Sequence, residues 1–208
     1  SVRLLELPAR VGERTIVHFH NNRETVEHQA ALGRALSDRG FGVVLVEYRG
    51  YGRSIGEPSE TGLYLDAHAA LDMLEMRGVT TEEVVLLGVS LGTGVAAEMA
   101  RLGRAGRLVL VTPYTSIPDV VTAAVPLVPA SVLVPDHFDT LSKASGIRIP
   151  TLVIHGTRDE IVPFSMGARL SDALPDARLR AVPGGRHGDL FAVAGRDLLD
   201  EIGAFARR

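Results

Sequence analysis

The chain has 208 residues, no cysteine, and a formal net charge of −3 from 22 basic and 25 acidic side chains. Disulfides, thiolate nucleophiles and cysteine-ligated zinc are therefore excluded, and without a clustered basic stripe nucleic acid is not an expected partner. At 46% hydrophobic residues a chain of this length suits one α/β domain whose sheet is covered on both faces.

Strand-like and helix-like segments alternate along the sequence. A short strand over 2–7 precedes a buried one over 15–19 that runs into His20. A helix over 25–39 stops at Gly40, a strand follows over 43–47, and after a long loop a helix over 62–76 stops at Gly78. Val84-Val85-Leu86-Leu87 reads as a buried strand, 95–100 as an Ala-rich helix and 108–111 as another strand. The segment 120–135 holds no charged residue, and Pro126, Pro129 and Pro135 forbid one continuous helix there. A strand over 151–155, a helix over 164–174 and a strand over 178–182 complete the pattern. Such alternation implies parallel strands joined by crossover helices, so the expected class is α/β with helices on both faces of a mostly parallel sheet. No repeat or linker interrupts 1–208, which reads as one domain with a short cap-like segment at 113–146. No apolar run approaches bilayer-spanning length and no signal peptide opens the sequence. Membrane contact is thus not evident and a cytoplasmic location is expected, while the start at Ser1 leaves a preceding targeting segment open.

Between the strand at 84–87 and the helix at 95–100 lies Gly88-Val89-Ser90-Leu91-Gly92. A serine hydroxyl is a poor nucleophile unless it is lifted onto a sharp strand-to-helix turn, and glycines on either side permit that bend. The following helix points its amides at the same spot, so the Leu91 N–H is a candidate oxyanion donor. A base and an orienting acid should follow in the order acid, then histidine. Asp159 leaves the strand at 151–155, with Glu160 beside it as the alternative acid. His187 sits in the loop Pro183-Gly184-Gly185-Arg186-His187-Gly188-Asp189 after the last strand. All three candidates, Ser90, Asp159 and His187, fall at carboxyl ends of strands, where open parallel sheets place their chemistry.

Four segments together resemble a known family: His20-Asn21-Asn22; Tyr48-Arg49-Gly50-Tyr51-Gly52-Arg53-Ser54 with Gly56 and Pro58-Ser59-Glu60; Ser90-Leu91-Gly92-Thr93-Gly94; and the His155-Gly156 loop ending at Asp159. They resemble the Bem46 type of α/β-hydrolase, the group with the depalmitoylase-like ABHD13 and ABHD17 proteins. The resemblance implies a cofactor-free serine hydrolase acting on a small-molecule, acyl-bearing ester or thioester. It also implies an α/β-hydrolase sheet that lacks its first edge strand here, and an oxyanion amide at Asn22. Relatives carry glycine where this chain has Asn21, so Asn21 is expected to bear a positive φ at modest strain. Glu47 stands where relatives carry Asp, and is expected to anchor the loop after it.

In the cap-like segment Val125, Leu127, Val128 and Leu133 are candidates for an acyl-binding groove, with Asn21 also facing substrate. The plainer reading is a broken helix packed on the sheet edge. Arg49 is expected to tie down its loop rather than bind an anion. His18 and His20 are spaced as in some binuclear metal sites, yet the Asp-His pair such sites need is missing, so no metal is expected. The alternatives to a serine hydrolase are a binding or scaffold protein with an impaired oxyanion hole and a metal-dependent hydrolase.

Overall fold

A computed structural model describes residues 3–127 and 129–208. Among these residues one seven-stranded sheet has the order β1-β3-β2-β4-β5-β6-β7. The strands are β1 (Arg3–Leu7), β2 (Thr15–Phe19), β3 (Gly42–Glu47), β4 (Val84–Val89), β5 (Arg107–Val111), β6 (Thr151–Gly156) and β7 (Ala177–Val182). All pairs are parallel except β1 with β3, which are antiparallel and close one edge.

Side-chain alternation on these strands feeds two separate cores. Val17, Phe19, Val44, Val46, Leu86, Leu108, Leu110 and Val153 face α2 (Glu60–Met76), α3 (Leu91–Arg101), α6 (Thr140–Ala144) and α7 (Phe164–Ala173). Ile16, Val43, Leu45, Val85, Leu87, Val109, Leu152 and Ile154 face α1 (Val26–Ser37), α8 (Leu190–Val193) and α9 (Gly195–Arg207). Strands buried on both faces need continuous Val, Leu and Ile runs, as these have. The cap-like stretch forms two short helices, α4 (Ile117–Ala124) and α5 (Ala130–Leu133), before α6. The helix α9 is an element beyond those expected from the sequence. No helix among the described residues is long and apolar enough to cross a membrane.

The order of the strands reverses at β2. From there the chain steps to β3 on one side, then crosses back to β4 on the other. Loops leaving β2 and β4 therefore diverge at a topological switch point, and a crevice opens between them at the strands' carboxyl ends. Phe19, the last residue of β2, pairs with Gly88 of β4, which brings the His20 turn beside Ser90.

Candidate active site

Ser90 caps the amino end of α3 with φ 51° and ψ −116°. A side-chain-bearing residue rarely occupies that left-handed region, and strain of this kind is held in place only by its surroundings. Here the surroundings are backbone. A Cβ on Gly92 would lie 2.0 Å from the Phe19 carbonyl oxygen, and one on Gly88 would lie 2.5 Å from that of Gly92. The Ser90 N–H donates to Val111 O at 2.9 Å, fixing the turn to β5 from the other side.

His187 Nε2 lies 2.9 Å from Ser90 Oγ, and His187 Nδ1 lies 2.9 Å from Asp159 Oδ2. With Nδ1–H donating to the carboxylate, Nε2 is left as the acceptor for the serine hydroxyl. The Asp159 side chain is fully buried, so its charge must be met by donors. Four are in place: His187, the amides of Ile161 (3.0 Å) and Val162 (2.8 Å) on Oδ1, and His155 Nε2 at 3.3 Å from Oδ2. Burial alone would raise this carboxyl. The bonds from His155, His187 and the Val162 amide outweigh it and hold the group well below the ordinary carboxylate range. Glu160 makes no such contact and lines the rim of the cavity.

His155 was named in the sequence only as part of its loop, yet its ring is fully buried and shares one N–H between Asp159 and the Val162 carbonyl (3.0 Å). Gly167 packs against the opposite ring nitrogen so closely that a Cβ there would come within 2.2 Å of it.

The turn after β2 completes the site. Leu91 and Asn22 line the same cavity as Ser90, and among the described residues neither backbone N–H donates to a protein acceptor. Asn21 differs from the expectation. It is absent from the positive-φ residues, so its backbone carries no such strain. Its side chain explains why asparagine serves there: Oδ1 accepts from the Arg23 N–H at 2.8 Å, closing an Asx turn, while Nδ2 donates to Glu24 Oε2 at 2.6 Å. His20 donates from Nδ1 to the Asn21 carbonyl at 2.7 Å and packs on Tyr48 and Tyr51. Arg49 pairs with Asp66 of α2 at 2.8 Å, and Glu47 accepts from the Arg53 N–H at 3.3 Å, so both hold the Tyr48 loop.

The crevice at Ser90 is a cavity of about 670 Å³ whose apolar wall is Leu91, Tyr114, Ile117, Val120, Ile161 and Val162. A second, apolar cavity of about 310 Å³ shares Asn22, Leu91 and Ile117 with it and continues to Leu63, Val134 and Phe138. Val125, Leu127 and Leu133 line neither cavity and are exposed, and Val128 lies outside the described residues. The cap does contribute apolar walls, but through Ile117, Val120 and Val134. Which face of a short helix turns inward depends on packing that composition does not encode. Among the described residues no group of three or more His, Asp or Glu side chains is arranged to hold a metal ion.

Residues 12–138 match the family model described as serine aminopeptidase, S33. An uncharacterized protein of Mycobacterium tuberculosis strain H37Rv is 37% identical over 179 residues, 85% of this chain and 64% of its own length. The alpha/beta hydrolase domain-containing protein aho-3 of Caenorhabditis elegans is 36% identical over 146 residues, 69% of this chain and 43% of that protein. This chain therefore spans less than two thirds of the length of these curated relatives. Among solved structures, the Pyrococcus furiosus esterase Pf2001 superposes with a TM-score of 0.80 at 17% identity, covering 100% of this chain and 92% of that one. The ferulic acid complex of Est1E from Butyrivibrio proteoclasticus superposes with a TM-score of 0.79 at 17% identity, covering 97% and 95%. At such identity the likeness is one of fold.

Proposed function

Since the chain belongs to the α/β-hydrolase superfamily, in the family described as serine aminopeptidase, S33, we propose that it is a serine hydrolase cleaving carboxylic esters or acyl thioesters. The reading is carried by the unbroken hydrogen-bonded chain from Ser90 through His187 to Asp159. In the reaction His187 Nε2 takes the hydroxyl proton as Ser90 Oγ attacks the substrate carbonyl. The resulting oxyanion is met by the N–H groups of Leu91 and Asn22. Collapse breaks the bond to the leaving group, which departs with the proton that His187 returns. Water then attacks the acyl-enzyme, with His187 again as base, and releases the acid. Asp159 stays ionised throughout, holding the imidazole tautomer and stabilising its positive charge.

The apolar walls at Leu91, Ile117 and Val120 support an acyl-bearing substrate, and the motif set from His20 to Asp159 supports placement in the Bem46 type. The alternative of a non-catalytic binding protein drew its force from a strained Asn21, and the ordinary backbone there removes that ground. A fluorophosphonate should label Ser90 and abolish activity toward p-nitrophenyl esters of graded chain length and acyl thioesters. Activity that survives chelation but not this label excludes a metal-dependent mechanism. Absence of labelling together with absence of turnover would refute the proposal.

A further inference from the structure

Glu24 lines the Ser90 cavity beside His187, yet the chemistry above gives it no task. It also lines a smaller cavity of about 90 Å³ behind His187, with Gln29, Val89 and Leu190. Its position is fixed from one side only. Oε2 accepts from the Asn21 amide at 2.6 Å and from the Gln29 amide, and Gln29 Oε1 in turn accepts from His18 Nε2 at 3.0 Å. His18 is fully buried, which lowers its pKa to about 3, so the ring is neutral and the bond is a fixed one. Among the described residues nothing donates to Glu24 Oε1.

A carboxylate oriented by two amides on one oxygen, with the other oxygen uncommitted, is a preorganised acceptor. Burial pushes the Glu24 carboxyl above its ordinary value, against the opposing effects of His28 and Gln29. With Oε1 left without a protein donor at the cavity wall, the carboxylate is placed to accept from a group arriving there. Position indicates which part of a substrate would supply the donor. His187 must hand its proton to the leaving group, so that group occupies the His187 side of the cavity, where Glu24 lies.

We propose that Glu24 is a specificity residue for the leaving group, its free Oε1 receiving a hydroxyl or ammonium donor carried by the departing alcohol or thiol. This rests on the serine-hydrolase reading of Ser90. A purely structural Glu24, bracing Asn21 to Gln29, would affect all substrates alike, and a ratio of substrates separates the two roles.

The test compares kcat/KM for the propyl, 2-hydroxyethyl and 2-aminoethyl esters of one acid, in the wild type and in Glu24→Gln. In Glu24→Gln the Asn21 and Gln29 amides hold the new carbonyl oxygen at the Oε2 position, so an NH2 replaces the acceptor Oε1. The wild type should favour at least one donor-bearing ester over the propyl ester by about tenfold or more, as expected for a hydrogen bond to a charged group. Glu24→Gln should bring that ratio to about one or below. Preference for the aminoethyl ester alone identifies an ammonium group, and preference for both identifies any donor. Equal wild-type rates, or a ratio that survives in Glu24→Gln, would overturn the proposal. So would failure of all three esters in a chain that a fluorophosphonate labels. A chain that is neither labelled nor active fails at Ser90 instead, and the proposal falls with that reading.

Discussion

Replacing Asp159 by Asn tests the site at its most constrained point. Every direction around this carboxylate is occupied by a donor: two backbone amides on Oδ1, His187 Nδ1 at 2.9 Å and His155 Nε2 at 3.3 Å from Oδ2. Asparagine brings one acceptor and one donor, so one pair of partners must lose. The Ile161 and Val162 amides cannot change their character, whereas an imidazole can shift its proton. The carboxamide oxygen therefore faces the backbone, and its NH2 faces the two rings. His187 then accepts at Nδ1 and carries its proton on Nε2, directed at Ser90 Oγ, where it cannot serve as a base. The same exchange in Ser-His-Asp enzymes lowers kcat by about 10⁴, equivalent to roughly 5 kcal/mol of barrier. We expect a fall of that order in steady-state kcat on a p-nitrophenyl ester. Thermal melting should confirm a folded variant, and Glu160→Gln, altered at the cavity rim, should change kcat little. Retention of kcat within about tenfold of wild type in Asp159→Asn would refute the assignment of the acid, since a wrong tautomer cannot be that mild.

Further outcomes follow from the geometry. Ser90→Ala should lose turnover by several powers of ten, and Ser90→Gly should melt higher than Ser90→Ala, by about 1 kcal/mol, because only glycine is at ease at φ 51°; equal melting temperatures would mean the turn is unstrained. Asn21→Gly should lower kcat/KM by loosening the Asx turn that carries the Asn22 amide, and unchanged activity would show that the side chain is dispensable. Gly92→Ala should abolish activity and depress Tm, since its Cβ would stand 2.0 Å from the Phe19 carbonyl, and a fully active variant would contradict that contact. The Asp159 pKa is depressed below its ordinary 3.8, so its stabilising contribution is complete above that pH and is lost as pH falls through the lower folded value. Melts taken downward from neutral pH should thus show a shallower acid decline in Asp159→Asn than in the wild type.

Much of this was legible in the sequence because it depends on local necessity. The turn at Ser90 needs glycines at 88 and 92 for backbone reasons, and buried parallel strands need unbroken apolar runs, so both announce themselves. Asp159 and His187 could be placed by their positions just beyond strand ends. What stayed hidden depends on tertiary neighbours. His155 and Glu24 meet the site only once β6 and the β2–α1 loop are packed. The Asn21 backbone departs from expectation because a side chain that closes its own turn looks, in sequence, like one that merely tolerates strain. The amphipathic helix α9 did carry a readable signal, with Leu198, Ile202 and Phe205 buried at helical spacing.

The parts of this site are assembled from distant stretches of chain. Ser90 and His187 stand 97 positions apart in sequence, and the turn at Asn21 and Asn22 shares the serine's cavity because β2 and β4 are neighbours in the sheet. Forming such contacts requires closing large loops, which makes them late events as a chain folds. An intermediate that holds the β6–β7 unit with Asp159 and His187 but has not yet docked β4 on β2 would possess acid and base with no nucleophile to serve. Recovery of activity after dilution from denaturant therefore reports completion of the central sheet. It should lag behind the return of helical signal.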